Sequence, residues 1–254
     1  MIFKIKHYLI YRVIRKLLGN NISAKKIYKT DKILYHRRSD HLNFLFKKTI
    51  KYELEVQEYL AKLIKKNFIV FDIGANIGQY SIFLSDLVGP KGSIYSFEPD
   101  SNSFEFLKKN IIENNCNNIS YKKLAFGKKE ANQKLFNDSL SGGRKSSFDK
   151  SLVGNNYVGT NEIVEVKTLD SQIDKYGLPN FIKIDSEGYE VQILKGLKKD
   201  FTKKTFFMIE VRDQTKNFVF NYFNRRGYSA FDVTTNKIVS DSSHIHGTTN
   251  LFFK

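Results

Sequence analysis

The chain reads Phe68-Ile69-Val70-Phe71-Asp72-Ile73-Gly74-Ala75-Asn76-Ile77-Gly78, and Gln79 to Leu87 follows with helical spacing. Four apolar residues in an unbroken run, without polar alternation, mark a strand covered on both faces, as in a parallel sheet. Glycines at the turn let the backbone come close to a ligand, and the helix that follows offers oriented N–H groups. Strand, glycine turn and helix together form the ligand-cradling unit of a doubly wound α/β sheet.

Upstream, Val56, Tyr59, Leu60, Leu63 and Ile64 give a helix leading into that strand. Downstream, Ser93-Ile94-Tyr95-Ser96-Phe97 gives a second strand that ends in Glu98-Pro99, with Glu98 twenty residues after Gly78. Helix Phe104–Asn115, strand Ile119–Leu124, strand Glu162–Lys167, a short helix opened by Thr168-Leu169-Asp170, strand Phe181–Ile184 and helix Val191–Leu197 follow. Strand Phe206–Val211, helix Lys216–Arg225 and strands Tyr228–Val233 and Leu251–Phe253 complete the order. The alternation predicts an α/β fold with a doubly wound, mostly parallel, seven-stranded Rossmann-like sheet. The last two strands have no apolar helix between them, so they are expected to pair antiparallel.

The turn also bears on the cofactor. A dinucleotide fingerprint places glycine where this chain has Asn76 and Gln79, so close approach of a pyrophosphate is not provided for. Glu98 suits the two hydroxyls of a ribose. A ligand with a ribose, no phosphate and an amino-acid tail near Asp72 and Gly74 fits best, and S-adenosylmethionine is that ligand. The expected cofactor residues are Asp72, Gly74, Ala75, Asn76, Gly78, Glu98, Pro99 and Asp185.

The stretch from Phe71 to Tyr80, the triplet Phe97-Glu98-Pro99, and Ile182-Lys183-Ile184-Asp185-Ser186-Glu187-Gly188-Tyr189-Glu190 with Leu194-Lys195-Gly196 resemble the FkbM-type methyltransferases. The match runs from about Glu53 to about Val211, and Asn250-Leu251-Phe252-Phe253 also suits it. The resemblance implies a class I S-adenosylmethionine-dependent methyltransferase acting on a hydroxyl oxygen of a sugar, glycan or glycolipid precursor, or other small metabolite.

Methyl transfer to oxygen needs a proton acceptor beside the acceptor hydroxyl. Asp185, Glu187 and Glu210 lie at or near the carboxyl ends of strands, where an open α/β sheet places its ligand. His246, in Ser-Ser-His-Ile-His-Gly before the last strand, is a further candidate base, with His244 beside it. The acids would also suit a divalent cation, but their spacing does not demand one and no metal is expected. Residues 137 to 160, rich in Ser, Gly and Asn, are longer than an ordinary connection and are expected to form an acceptor-side lid, with Arg144 and Lys145 positioned to meet an acidic group.

The 254 residues carry 42 Lys+Arg against 26 Asp+Glu, a net charge of +16, with 41% apolar and 27% charged residues. Collagen, low-complexity disorder and a membrane bundle are excluded. A single cysteine, Cys116, excludes an internal disulfide and a thiolate zinc cage and points to a reducing compartment, the cytoplasm. Residues 1–50 hold 13 Lys+Arg and 2 Asp+Glu, so a basic, helical N-terminal extension over 1–50 is expected ahead of a catalytic domain over 51–254. Within it, residues 1–18 are amphipathic, with a capacity for peripheral contact with an anionic membrane. The expected partner is a small-molecule or glycan acceptor. Nucleic acid is disfavoured because 34 of the 42 cations are Lys and only 8 are Arg. The alternatives are an RNA methyltransferase, motivated by the charge, and a non-catalytic membrane-surface binding protein, motivated by residues 1–18.

Overall fold

From Ile22 onward, the described part of the basic N-terminal segment forms strands where a helical extension is expected. The computed structural model describes residues 17–44, 49–50, 53–138, 146–148, 159–200 and 205–254. Residues 1–16, and with them most of the amphipathic stretch 1–18, lie outside these. Strands β1 (Ile22–Ile27) and β2 (Ile33–Arg37) pair antiparallel, and β3 (Thr49–Ile50) adds parallel to β1. The helical extension is therefore corrected for residues 22–27, 33–37 and 49–50. The physical reason is a period of two that polar residues disguise: Leu34 and His36 point inward from β2 while its other members are partly or fully exposed. Ile27, Leu34 and Ile50 are fully buried and share one apolar cluster with the helices that follow, so the small sheet is packed onto the rest of the chain.

Helix α1 (Leu54–Leu63) leads into β4 (Ile69–Ile73), and α2 (Gln79–Val88), β5 (Ser93–Phe97), α3 (Ser101–Glu113) and β6 (Ile119–Lys122) follow. Next come β7 (Ala125–Phe126), β8 (Ala131–Asp138) and β9 (Gly159–Lys167), a separate sheet ordered β7-β9-β8. Helix α4 (Leu169–Tyr176), β10 (Phe181–Ile184), α5 (Glu190–Lys195), β11 (Phe206–Arg212) and α6 (Lys216–Asn224) precede β12 (Ala230–Asp232), β13 (Lys237–Val239) and β14 (Thr248–Phe253).

The main sheet is ordered β13-β12-β14-β11-β10-β4-β5-β6. Strands β6, β5, β4, β10 and β11 run parallel, and β14 enters antiparallel to both β11 and β12, as expected of the closing strands. The sheet has eight strands, one more than expected. The extra edge strand β13 exists because Asp232 accepts from the Thr234 and Thr235 amides while Asn236 takes a left-handed conformation, which closes a short hairpin. One face carries α4, α5 and α6, and the other carries α1, α2, α3 and the small sheet, giving two cores. Chain order reverses between β4 and β10, where an open α/β sheet leaves a crevice at its carboxyl edge. No helix among the described residues is long and apolar enough to cross a membrane.

Candidate active site

The crevice at the β4–β10 reversal opens into a cleft. Its floor is the turn after β4. Gly74 has φ +73°, and a Cβ there would sit 1.8 Å from the Asp185 carbonyl oxygen, so only glycine lets the turn pass the end of β10. Asn76 is also left-handed, and its amide donates to Glu98 Oε2 at 2.8 Å.

Glu98 is buried at the end of β5, and its Oε1 accepts from the Asp100 amide at 2.9 Å. Burial, with the Asp100 charge next, pushes its carboxyl up to about 8. The Glu98 amide donates to the Lys122 carbonyl, which brings the chain after β6 alongside it. There Leu124 and Phe126, with Pro99, give the cleft an apolar wall.

The opposite side is acidic. Asp185 follows β10 directly, and its Oδ2 lies 3.3 Å from Lys183 Nζ. Lys183 is buried, 3.5 Å from Asp72 Oδ1, with its ammonium 5.2 Å from the Tyr80 ring centre. Burial alone would push this ammonium down, but the Asp185 and Asp72 carboxylates hold it above its ordinary value. Glu187 and Glu210 share Arg212: Nη2 reaches both, at 2.5 Å from Glu187 Oε2, and Nε donates to Glu210 Oε2 at 2.9 Å. Burial and the Asp185 charge push Glu210 up to about 8, and the same causes raise Glu187. Glu187 sits at φ +54° and Gly188 at φ +98° in a turn fastened by fully buried Glu190, whose Oε1 accepts from the Ser186 amide, the Ser186 hydroxyl and the Gly188 amide.

A family model described as Methyltransferase FkbM domain matches residues 72–230. This chain belongs to the FkbM methyltransferase domain family. A hexuronic acid methyltransferase, AglP, from Haloferax volcanii is 24% identical over 166 residues, covering 63% of this chain and 62% of that protein. Methyltransferase 1 from Beauveria bassiana is 27% identical over 147 residues, covering 52% and 58%. The chain thus spans about three fifths of each of these curated relatives. An FkbM methyltransferase structure from Methylobacillus flagellatus shares the fold, with a TM-score of 0.50 at 18% identity over 78% of this chain and 50% of that one. Together with the sheet order, this places the FkbM domain in the class I methyltransferase fold.

Of the residues expected at the site, Gly74, Ala75, Asn76, Glu98, Pro99, Asp185, Glu187 and Glu210 line the cleft. Asp72 does not. It is fully buried beneath the turn, where its Oδ2 accepts from Ser81 Oγ at 2.6 Å and Ser96 Oγ donates on to Ser81. Gly78 serves packing instead: it starts α2 at φ +90°, and a Cβ would lie 2.7 Å from a Leu107 methyl. His246 is exposed and outside the cleft, as is His244, because their loop is drawn toward α6 by Asp213, which accepts from the Gly247 amide, and by Lys216, which donates to the Ile245 carbonyl. Arg144 and Lys145 lie outside the described residues.

Three lining residues come from ahead of the family match. His41 and Phe44 stack with ring centres 5.3 Å apart. Glu53 sits at φ +52° before α1, accepts from Tyr80 Oη, and accepts from Asn250 Nδ2 at 2.7 Å. Burial pushes its carboxyl up, against the Tyr80 hydrogen bond. A polar residue heading an amphipathic helix was the available signal for Glu53, whereas His41 and Phe44 lie in no periodic pattern. Among the described residues, no group of three or more His, Cys, Asp or Glu is arranged to hold a metal ion.

Proposed function

We propose that this FkbM domain transfers a methyl group from S-adenosylmethionine to a hydroxyl oxygen of a sugar or similar small polyol. The observation that carries the reading is one cleft in which Glu98 and the Asp185–Glu187–Glu210 group face the same glycine turn. The residues fit the cofactor: the left-handed Gly74 and Asn76 shape a turn whose backbone lines the cleft, Glu98 offers its carboxyl oxygens to a ribose, and Leu124, Phe126 and Pro99 suit a purine. The acidic lining also suits a ligand with a positive charge. S-adenosylmethionine, when bound, supplies an electrophilic methyl group on a sulfonium.

The chain's own groups then have separable tasks. Asp185 is not tied to Arg212, and as the carboxylate nearest the strand end it takes the proton of the acceptor hydroxyl. Lys183 holds Asp185 in place through its 3.3 Å ion pair. Arg212 fixes Glu187 and Glu210 as acceptors for neighbouring hydroxyls. The Haloferax relative, a hexuronic acid methyltransferase, supports a sugar as the acceptor class. A polyphosphate such as RNA is poorly served by these carboxylates, whatever the net charge of the chain. The test is transfer of labelled methyl to sugar acceptors by wild type and Asp185→Asn. We expect turnover to fall by about 10² to 10⁴ while S-adenosylhomocysteine affinity stays within about threefold. Equal turnover would move the proton acceptor to Glu187 or Glu210.

A further inference from the structure

The acceptor side of the cleft is unusual for so basic a chain. Its described lining includes the carboxyl groups of Glu53, Asp185, Glu187 and Glu210 against the ammonium of Lys183. The nearby cations are already engaged: Lys183 is buried between Asp72 and Asp185, and Arg212 spends Nε and Nη2 on Glu210 and Glu187. Beside the acids is an aromatic ledge. Tyr189, two residues after Glu187, and Phe148 from the β8–β9 connection both line the cleft, with ring centres 4.8 Å apart and planes tilted by 50°. The Tyr189 hydroxyl donates to Gln133 Oε1 at 3.2 Å, which fixes the ring from the second sheet.

We infer that the acceptor is an uncharged polyhydroxylated ring, a neutral glycoside, and that the cleft selects against acceptors bearing a carboxylate or phosphate on the methylated ring. This rests on the methyl-transfer reading above. A pyranoside presents C–H faces and a rim of hydroxyl donors. The Phe148–Tyr189 ledge suits the first, and the carboxyl oxygens of Glu187 and Glu210, oriented by Arg212, suit the second. An anionic ring would face the Asp185 and Glu187 carboxylates and would have to compete with them for Lys183 and Arg212, which they already pair with. The chain would thereby differ from its relative named for hexuronic acid.

The test uses the full-length protein, labelled S-adenosylmethionine and matched pairs of p-nitrophenyl hexosides and hexuronosides (glucose, galactose, mannose), with S-adenosylhomocysteine titrated into the same preparation. The expected result is a kcat/KM for the best hexoside about a hundredfold or more above that of its uronoside. Glu187→Gln is expected to narrow this ratio about tenfold, a readout that a general loss of activity does not move. A uronoside used as well as its hexoside, or transfer to neither class by protein that binds S-adenosylhomocysteine, overturns the inference alone. Absence of S-adenosylhomocysteine binding overturns the methyl-transfer reading beneath it.

Discussion

At the residue scale, Glu98 couples cofactor binding to protons. With its carboxyl pushed up to about 8, it is largely protonated at neutral pH in the free site, held only by the Asn76 and Asp100 amides. Ribose hydroxyls donating to it favour the charged form and draw its pKa down on binding. A group whose pKa falls on binding releases a proton below its free value, so affinity rises with pH up to about 8 and levels off above. Calorimetry at pH 7 in buffers of different ionisation enthalpy should report close to one proton released per S-adenosylhomocysteine, and Glu98→Gln should remove that release. Binding that takes up or releases no proton in wild type would contradict the assignment. Gly74 gives a second residue-scale prediction. Gly74→Ala combines a left-handed backbone with a Cβ 1.8 Å from the Asp185 carbonyl oxygen, so denaturant unfolding should show a loss of at least about 2 kcal/mol. An unchanged midpoint would mean that the turn and β10 do not meet.

At the element scale, the small N-terminal sheet carries the turn after β2 from which His41 and Phe44 reach the cleft. Asn110 on α3 holds it there: Oδ1 accepts from the Tyr35 amide at 2.7 Å, and Nδ2 donates to the Tyr35 and Ile77 carbonyls. The same fully buried amide thus fastens β2 to the end of the cofactor turn. Asn110→Ala leaves those groups unpartnered and should cost about 2 to 4 kcal/mol. Hydrogen exchange should show β1 and β2 losing protection before β10 does; equal protection in both would contradict the role. These strands were hidden in the sequence because lysines and a buried histidine interrupt their apolar pattern. Strand β8 was hidden for a related reason, since Asn137 is buried on the inward face beside Leu135, where an apolar residue is the usual signal. By contrast β4, β5, β10 and β11 were legible, because a strand buried on both faces has to be apolar throughout. The site divides the same way. Glu98 and Asp185 announce themselves by standing at the ends of such strands, whereas Glu53 reaches the cleft only through the packing of α1, which no local pattern encodes.

At the scale of the whole molecule, charge is segregated. The chain carries +16, yet the charged residues among the described lining of the cleft are mostly acids. The Lys residues lie mostly elsewhere, some in exposed pairs such as Lys26–Asp31, Lys109–Glu113 and Lys199–Asp174 that contribute little to stability. Net charge therefore describes the surface and not the chemistry of the cleft, which is why it suggested nucleic acid while the site favours a small hydroxyl acceptor and a cationic cofactor. The central claim is that the cleft at the β4–β10 reversal holds S-adenosylmethionine. It is tested most directly by titrating the purified full-length protein with S-adenosylhomocysteine at moderate salt, with NAD as the control. Micromolar binding of the former at one site per chain, with none of NAD, is the predicted result. A folded protein that binds neither, or that binds NAD in preference, would contradict it.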